Sequence, residues 1–260
     1  MSNINEFQME NNSELLLKFG SLIKESDINF QIPDELMLCF IYARKRDVQR
    51  AMKLLKNYLR VMKNYPELFT DLRSERVKHV LDLGHLLASP IRDQNGSRVF
   101  IINARNWDIR RCSLEDVYSA VVFCFQMMVS EMETQSKGVV GIVDFQDFAL
   151  HQIRHFTPSF LKKVADLIQD VFPIRLKGIH IVNEPRIIKI LVAMIWPFLS
   201  NKIRNRLFFH GSCFATLHHH VDPSCLPSNY DGCLGPMSSM HFSSVFFEED
   251  YYSNIFECLN

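Results

Sequence analysis

The chain has 260 residues, 29 Lys and Arg against 29 Asp and Glu, so its formal net charge is zero; 47% of residues are apolar and 22% are charged. That length suits one large domain, or one domain with a small helical companion, around a substantial core. The charge balance argues against a wholesale nucleic-acid binder and leaves any basic surface local.

Phe is over-used, 21 against two Trp, which places apolar bulk in a side chain with no hydrogen-bonding group. A hydrocarbon-lined cavity and a thick core would both use it. The seven Cys, at 39, 112, 124, 213, 225, 233 and 258, form no CxxC pair, and the start MSNINEFQMENN is polar. Reduced thiols and a cytoplasmic setting are therefore expected. The most apolar long run, IIKILVAMIWPFL, is broken by Lys189 and Pro197. It is shorter than the roughly 20 residues of a bilayer span, so no transmembrane segment is expected.

In chain order, residues 1–12 are polar and expected to fray, and SELLLKFGSLIKE reads as a short helix with Ser13 as N-cap. Pro33 opens PDELMLCFIYARK, with Asp34 and Glu35 at the positive end of the helix. Asp47 caps the next helix, where Val48, Ala51, Leu54, Leu55, Tyr58 and Met62 recur at helical spacing. Residues 1–72 thus read as a small helical unit, and a further helix from about Ser74 to His85 leads out of it.

From about residue 88 the pattern changes: an Asn-Gly turn precedes RVFII, and SLEDVYSAVVFCFQMMVSEMETQ begins with a Ser113 to Asp116 capping pattern before a long apolar helix. GVVGIVDF reads as a buried strand, TPSFLKKVADLIQDVF as a helix, and LKGIHIVNEP as a strand ended by Pro185. One or two helices then cover PRIIKILVAMIWPFLSNKIRNRL, and FFHGSC is a short last strand. Strands alternating with helices predict an α/β domain over residues 73–236, its sheet mostly parallel and flanked by helices. Residues 237–260 form a tail without a readable pattern.

The segments ARKRDVQRAMKLLKNYLRVMKNYPELF, ETQSKGVVGIVDF, TPSFLKKVADLIQDVFPIRLKGIHIVNEP, PFLSNKIRNRLFFHG and LPSNYDG together resemble the CRAL-TRIO lipid-binding proteins, in the tocopherol-transfer and retinaldehyde-binding branch. The resemblance spans roughly residues 34–234 with the motifs in order. It implies an N-terminal CRAL-TRIO helical unit, then a lipid-binding domain whose cage between sheet and helices is closed by a gate helix. Two departures stand out. Asp231 and Gly232 occupy a site where the family often has paired glycines, and Val121 and Phe125 replace polar groups that tocopherol carriers place on the cavity helix.

Tyr118, Val121 and Phe125 share one helix face, Val139 and Val143 one side of a strand, and Val164, Leu167 and Ile168 a face of the next helix. By spacing alone these are inward positions of a packed core or of a cavity. The resemblance implies a cavity for a tocopherol- or retinoid-like lipid and adds Phe156, Phe172 and Ile179 to its lining. Ile187, Ile190, Leu191 and Met194 recur at helical spacing in RIIKILVAMIWPFL, whose opposite side is apolar too. Such a helix is ordinarily buried; the resemblance implies a gate that can meet a bilayer.

Arg175 and Lys177 are two apart at a strand entrance, and Lys202 and Arg206 are four apart on a helical face, with Arg204 close by. Basic clusters are usually solvated faces. The resemblance matches these four to the residues that grip phosphoinositide headgroups, implying phosphatidylinositol bisphosphate binding and transient membrane association.

HGSCFATLHHHVDPSC offers His210, Cys213, His218, His219, His220 and Cys225, but at no standard zinc spacing, so no metal is expected. His180, within a strand, is read as a core histidine. No nucleophile elbow, P-loop or dinucleotide fingerprint occurs, and Asp144 and Asp147 suit a turn better than acid–base work. The expectation is a cofactor-free, non-enzymatic carrier; the alternative is a lipid-sensing module that regulates a protein partner.

Overall fold

The computed structural model describes residues 2–105 and 107–239. Helix α1 runs Ser2–Lys24 without interruption, so Ser13 sits inside it and is not an N-cap. The polar start contains no Pro or Gly to stop a helix from continuing backwards. Helix α2 (Asp34–Ala43) follows Pro33, whose extended backbone delivers the chain to the first turn. Asp47 caps α3 (Val48–Asn64) by accepting a bond from the Arg50 N–H at 3.0 Å, and α4 (Glu75–Asp82) completes the N-terminal helices.

Strand β1 (Leu86–Ala88) lies just beyond the expected helix end at His85, where no element was expected. It pairs antiparallel with β2 (Arg98–Asn103) across a turn in which Asp93 Oδ1 accepts from the N–H groups of Asn95 and Ser97. The expected long helix is two helices: α5 (Leu114–Ser130), opened by the Ser113–Asp116 capping box, and α6 (Met132–Lys137). Glu131 adopts an extended backbone between them, and its carboxylate is held by Arg92, Arg98 and Thr134. Breaking the helix there satisfies two largely buried guanidinium groups.

The chain continues through β3 (Val139–Asp144), α7 (Leu150–Ile153), α8 (Pro158–Ile168) and β4 (Leu176–Val182). After these come α9 (Ile188–Ile195), a 3-10 turn at Trp196–Phe198, α10 (Asn201–Arg204), β5 (Leu207–Phe209) and α11 (Phe214–His218). The sheet order is β1-β2-β3-β4-β5, parallel from β2 onward. Strands in sequential order joined by right-handed crossovers must send every crossover over the same face. One face is therefore roofed by helices, and the other needs a different cover.

That cover is the segment after β5. Leu217, Val221, Leu226 and Tyr230 bury Val99, Ile101, Val140, Ile142 and Val182. Tyr230 donates to Asp144 Oδ2 at 3.0 Å, and Asn183 donates to Asp144 Oδ1 at 3.0 Å. Asp231 takes the left-handed conformation, which Asp tolerates without glycine. Gly232 is obligatory, because a Cβ there would lie 2.1 Å from the Leu226 carbonyl oxygen. On the roofed side the N-terminal helices share the core of the α/β part: Tyr58 packs edge-on against Phe40, Phe69 and Phe172 with centroids 5.7–6.0 Å apart.

His180 projects from β4 to the face away from the helices. Its Nδ1 lies 2.9 Å from His210 Nε2, and His210 Nδ1 lies 2.8 Å from Thr216 Oγ1. Burial, then the neighbouring His210 and His220, lower the His180 pKa from 6.5 to about 3; burial lowers His210 too. Both imidazoles are thus neutral in the folded protein, while unfolded ones take up protons below about pH 6.5. The unfolding free energy is expected to hold above that pH and to fall as pH drops towards 3, by at most about 1.4 kcal/mol per pH unit per group. Urea denaturation across this range should show the decline, flattened in His180→Phe; identical slopes for variant and parent would remove these rings as its source.

Candidate functional site

Register builds the floor of a cavity. Phe100, Gly141, Ile179 and Leu207 align across β2 to β5 in one row, and Ile102, Val143, Ile181 and Phe209 in the next. Because successive strand residues alternate faces, both rows turn towards the helices. Above them lies a cavity of about 220 Å³. One wall is α5, with Tyr118, Val121 and Phe125; another is α8, with Leu161, Val164, Leu167 and Ile168. The roof is α9, through Ile188, Leu191, Val192 and Ile195. Phe125 stacks on Phe172 at 5.1 Å and meets Phe100 at 5.8 Å.

The structure brings together around this one cavity Tyr118, Val121, Phe125, Val139, Val143 and Phe156, together with Val164, Leu167, Ile168, Phe172 and Ile179. Sequence reasoning missed Phe100 and Ile102 on β2, Ile181 on β4, and Leu207 and Phe209 on β5. The period-two alternation of RVFIIN carried the first pair. The expected strand FFHGSC starts one residue after β5 and runs four residues past it, so it leaves out Leu207 and blurs which of its residues face the helices.

Helix α9 is rotated from the expected face. Leu191 lines the cavity, whereas Ile187, Ile190 and Met194 lie outside the lining and Ile188, Val192 and Ile195 stand in their place. Lys189, the one charged residue of the helix, is exposed together with Ile190 and Ala193, so it marks the outer face and Ile190 turns outward beside it. Ile188, Val192 and Phe209 also border a groove of about 550 Å³, with Lys189 and Trp196. One helix thus separates cavity from surface, and Ile190, Trp196, Phe198 and Phe209 are 36–48% exposed around it.

At the N-terminal end of the strands lies a basic corner. Gly138 (φ 94°) lets the chain pass Arg175, whose carbonyl oxygen would sit 2.3 Å from a Cβ at that position. Arg175 donates to the carbonyls of Gln135 (3.1 Å) and Ser136, and Arg206 donates to that of Leu176. Lys202 pairs with Asp170 at 2.6 Å, and Arg44 reaches the same carboxylate at 2.8 Å. Burial would raise the Asp170 pKa, but the Lys202 hydrogen bond and the Arg44 charge hold it below the usual value. The exposed Lys177 has its pKa lowered by desolvation and then by Arg175, Arg206 and Lys45, so these cations share one neighbourhood.

Arg44 and Lys45, from the turn between α2 and α3, were not expected here. The turn is tight: among the described residues Lys45 and Arg46 are the two with positive φ that are neither Gly, Asp nor Asn. Helix α10 ends at Arg204, so Arg206 lies beyond it and does not share a helical face with Lys202. Arg204 stacks over Trp196 at 5.1 Å and donates to its carbonyl at 2.8 Å, away from the corner's other cations. Asp144 is bound in the Tyr230 clamp and Asp147 pairs with Arg105 at 3.1 Å. Among the described residues no three His, Cys, Asp or Glu side chains gather as a metal site, and no helix is long and apolar enough to cross a membrane.

The CRAL/TRIO domain family matches residues 85–232. The chain is 37% identical over 226 residues to mouse (Mus musculus) alpha-tocopherol transfer protein-like, covering 86% of this chain and 66% of that protein. It is 32% identical over 233 residues to clavesin-1 of Xenopus laevis, covering 88% and 70%. The chain therefore spans just under two thirds of the length of the tocopherol-transfer-like relative. The crystal structure of Sfh5 superposes with a TM-score of 0.61 over 93% of this chain and 94% of that one, at 11% identity, a likeness of fold alone. With its sheet, its helical roof and more than half its length matched, this chain belongs to the CRAL/TRIO family.

Proposed function

We propose that the chain is an intracellular carrier that holds one small hydrophobic lipid in the cavity and exchanges it at phosphoinositide-containing membranes, without covalent chemistry. The carrying observation is the largely hydrocarbon-lined cavity lying beneath α9 and beside a corner with excess positive charge. Family membership and the transfer activity named for the mouse relative support the same reading. Hiding ~400 Å² of apolar lipid surface at ~25 cal/mol/Å² contributes ~10 kcal/mol before the costs of binding.

At about 220 Å³ the cavity is smaller than the roughly 300–1,000 Å³ of ordinary small-molecule sites, so loading requires α9 to move outward. Two residues clip the far end of this roof. Gln169 donates to the Phe198 carbonyl at 2.9 Å and accepts from the Ser200 N–H at 2.5 Å, while Asp170 holds Lys202. An anionic headgroup at the corner competes with Asp170 for Lys202 and Arg44. Docking thereby loosens the clip and couples membrane contact to opening. Each basic residue near an anionic leaflet contributes ~1 kcal/mol, enough to orient Arg175, Lys177, Lys202 and Arg206 and weak enough for release.

Three outcomes follow. Val143→Asp sets an unpartnered carboxylate in the floor and should abolish lipid loading or folding; a folded variant with undiminished loading in native mass spectrometry would move the site elsewhere. Asp170→Asn should accelerate lipid exchange in stopped-flow fluorescence, and an unchanged rate would separate Asp170 from gating. Replacing Arg175, Lys177, Lys202 and Arg206 together by Ala should slow transfer to phosphoinositide vesicles and leave loading nearly intact, with the difference shrinking as salt rises. Equal rates under all conditions would leave these charges a solvated face, and loading without any transfer by the parent would favour the sensor alternative.

A further inference from the structure

The cavity has two chemically different ends. Phe125, Phe172 and Asp170 mark the end near the basic corner, where Asp170 is already occupied by Arg44 and Lys202. Helix α5 runs back over the sheet from the C-terminal end of β2 to β3, so its first turns lie at the opposite end. There Tyr118 lines the cavity, its ring set edge-on against Phe160 at 4.9 Å. Its other neighbours in the lining are hydrocarbon, including Phe145 and Phe156.

Tyr118 makes no hydrogen bond with any described residue. Desolvation alone holds its phenol well above the usual range, so the group remains a neutral donor. Its surface is nevertheless only partly covered by protein. Because Tyr118 lines the cavity, its uncovered side faces that space. The hydroxyl keeps accessible surface inside a largely apolar lining, where a Phe would leave no polar group to satisfy. A polar atom in such a place points to a partner that arrives with the ligand.

We propose that Tyr118 is a specificity-determining residue whose hydroxyl bonds the one polar group of a ligand that is otherwise hydrocarbon. The ligand class is an amphiphile with a single uncharged oxygen, such as a long-chain alcohol, held with its oxygen at the end of the cavity away from the basic corner. A carboxylate or phosphate is excluded, because no cation lines that end to offset the desolvation of a charge. This inference rests on the carrier reading and adds the chemistry of the cargo to it.

The test is displacement of diphenylhexatriene from the full chain by octadecanol and by octadecane, in the parent and in Tyr118→Phe. One hydrogen bond gained in an apolar site corresponds to about a three- to tenfold preference. The parent is expected to bind the alcohol more tightly than the alkane by that factor, and Tyr118→Phe to lose the difference while binding the alkane as before. The ligand-free variant should unfold at the same temperature or higher, since the hydroxyl has no protein partner to lose. An equal loss for both compounds would make Tyr118 a packing residue, and no loss for either would place the ligand oxygen elsewhere. Failure of both compounds to load the parent would overturn the carrier reading, and this inference with it.

Discussion

The alternation of side chains across four parallel strands is the constraint on which the rest of the molecule depends. Once β2 to β5 pair in sequential order, two rows of four residues must turn towards the crossover helices. Gly141 and Val143 are small, and the helices above are held off by their own large side chains, with Phe125 and Phe172 stacked between them. Sheet and helices therefore meet at their edges and not in the middle. An empty volume of about 220 Å³, at roughly 24 cal/mol per Å³, forgoes about 5 kcal/mol of packing. Against a typical stability of about 5–15 kcal/mol, an occupant that fills the void would add substantially to the stability of the fold.

The far face shows the contrast. There the cover is tightly tied: the Tyr230 hydroxyl reaches Asp144, Asn183 reaches the same carboxylate, and Gly232 packs against the Leu226 backbone. Buried polar groups with complete partners leave that layer one arrangement. Helix α9 has no equivalent anchor along its length and is bounded by Asn183 in a left-handed conformation and by Pro197. It is restrained beyond its C-terminal end, by Arg204 on the Trp196 carbonyl and by Gln169 and Asp170, beside the basic corner. In the proposed reading, that placement lets an electrostatic event at the surface act on a largely apolar compartment.

The N-terminal helices are part of this arrangement. Tyr58 inserts its ring among Phe69 and Phe172, Asn57 donates to the carbonyls of Gln169 and Asp170, and Arg44 joins the Asp170 pair. The helical unit thus buttresses the clip that holds the roof.

By itself the sequence determined the main helices and the strands β2 to β4, the capping residues Asp47 and Ser113, the mostly parallel sheet and the inward faces of α5, β3 and α8, because period and capping are local properties of the chain. It also placed Arg175, Lys177, Lys202 and Arg206 as a group, through a likeness spread over most of the chain. The rotation of α9 rests on a single charge, Lys189, which lies on the exposed side and turns Ile190 outward with it, and the tertiary structure shows which apolar residues then face the cavity. Only the tertiary structure decided β1, three residues long and shaped by its partner β2, and the break at Glu131, which answers to arginines some thirty residues away. Whether inward residues touch one another or enclose a void depends on the height of the helices above the sheet. That height is set by contacts between elements distant in sequence, and no spacing within a single element encodes it.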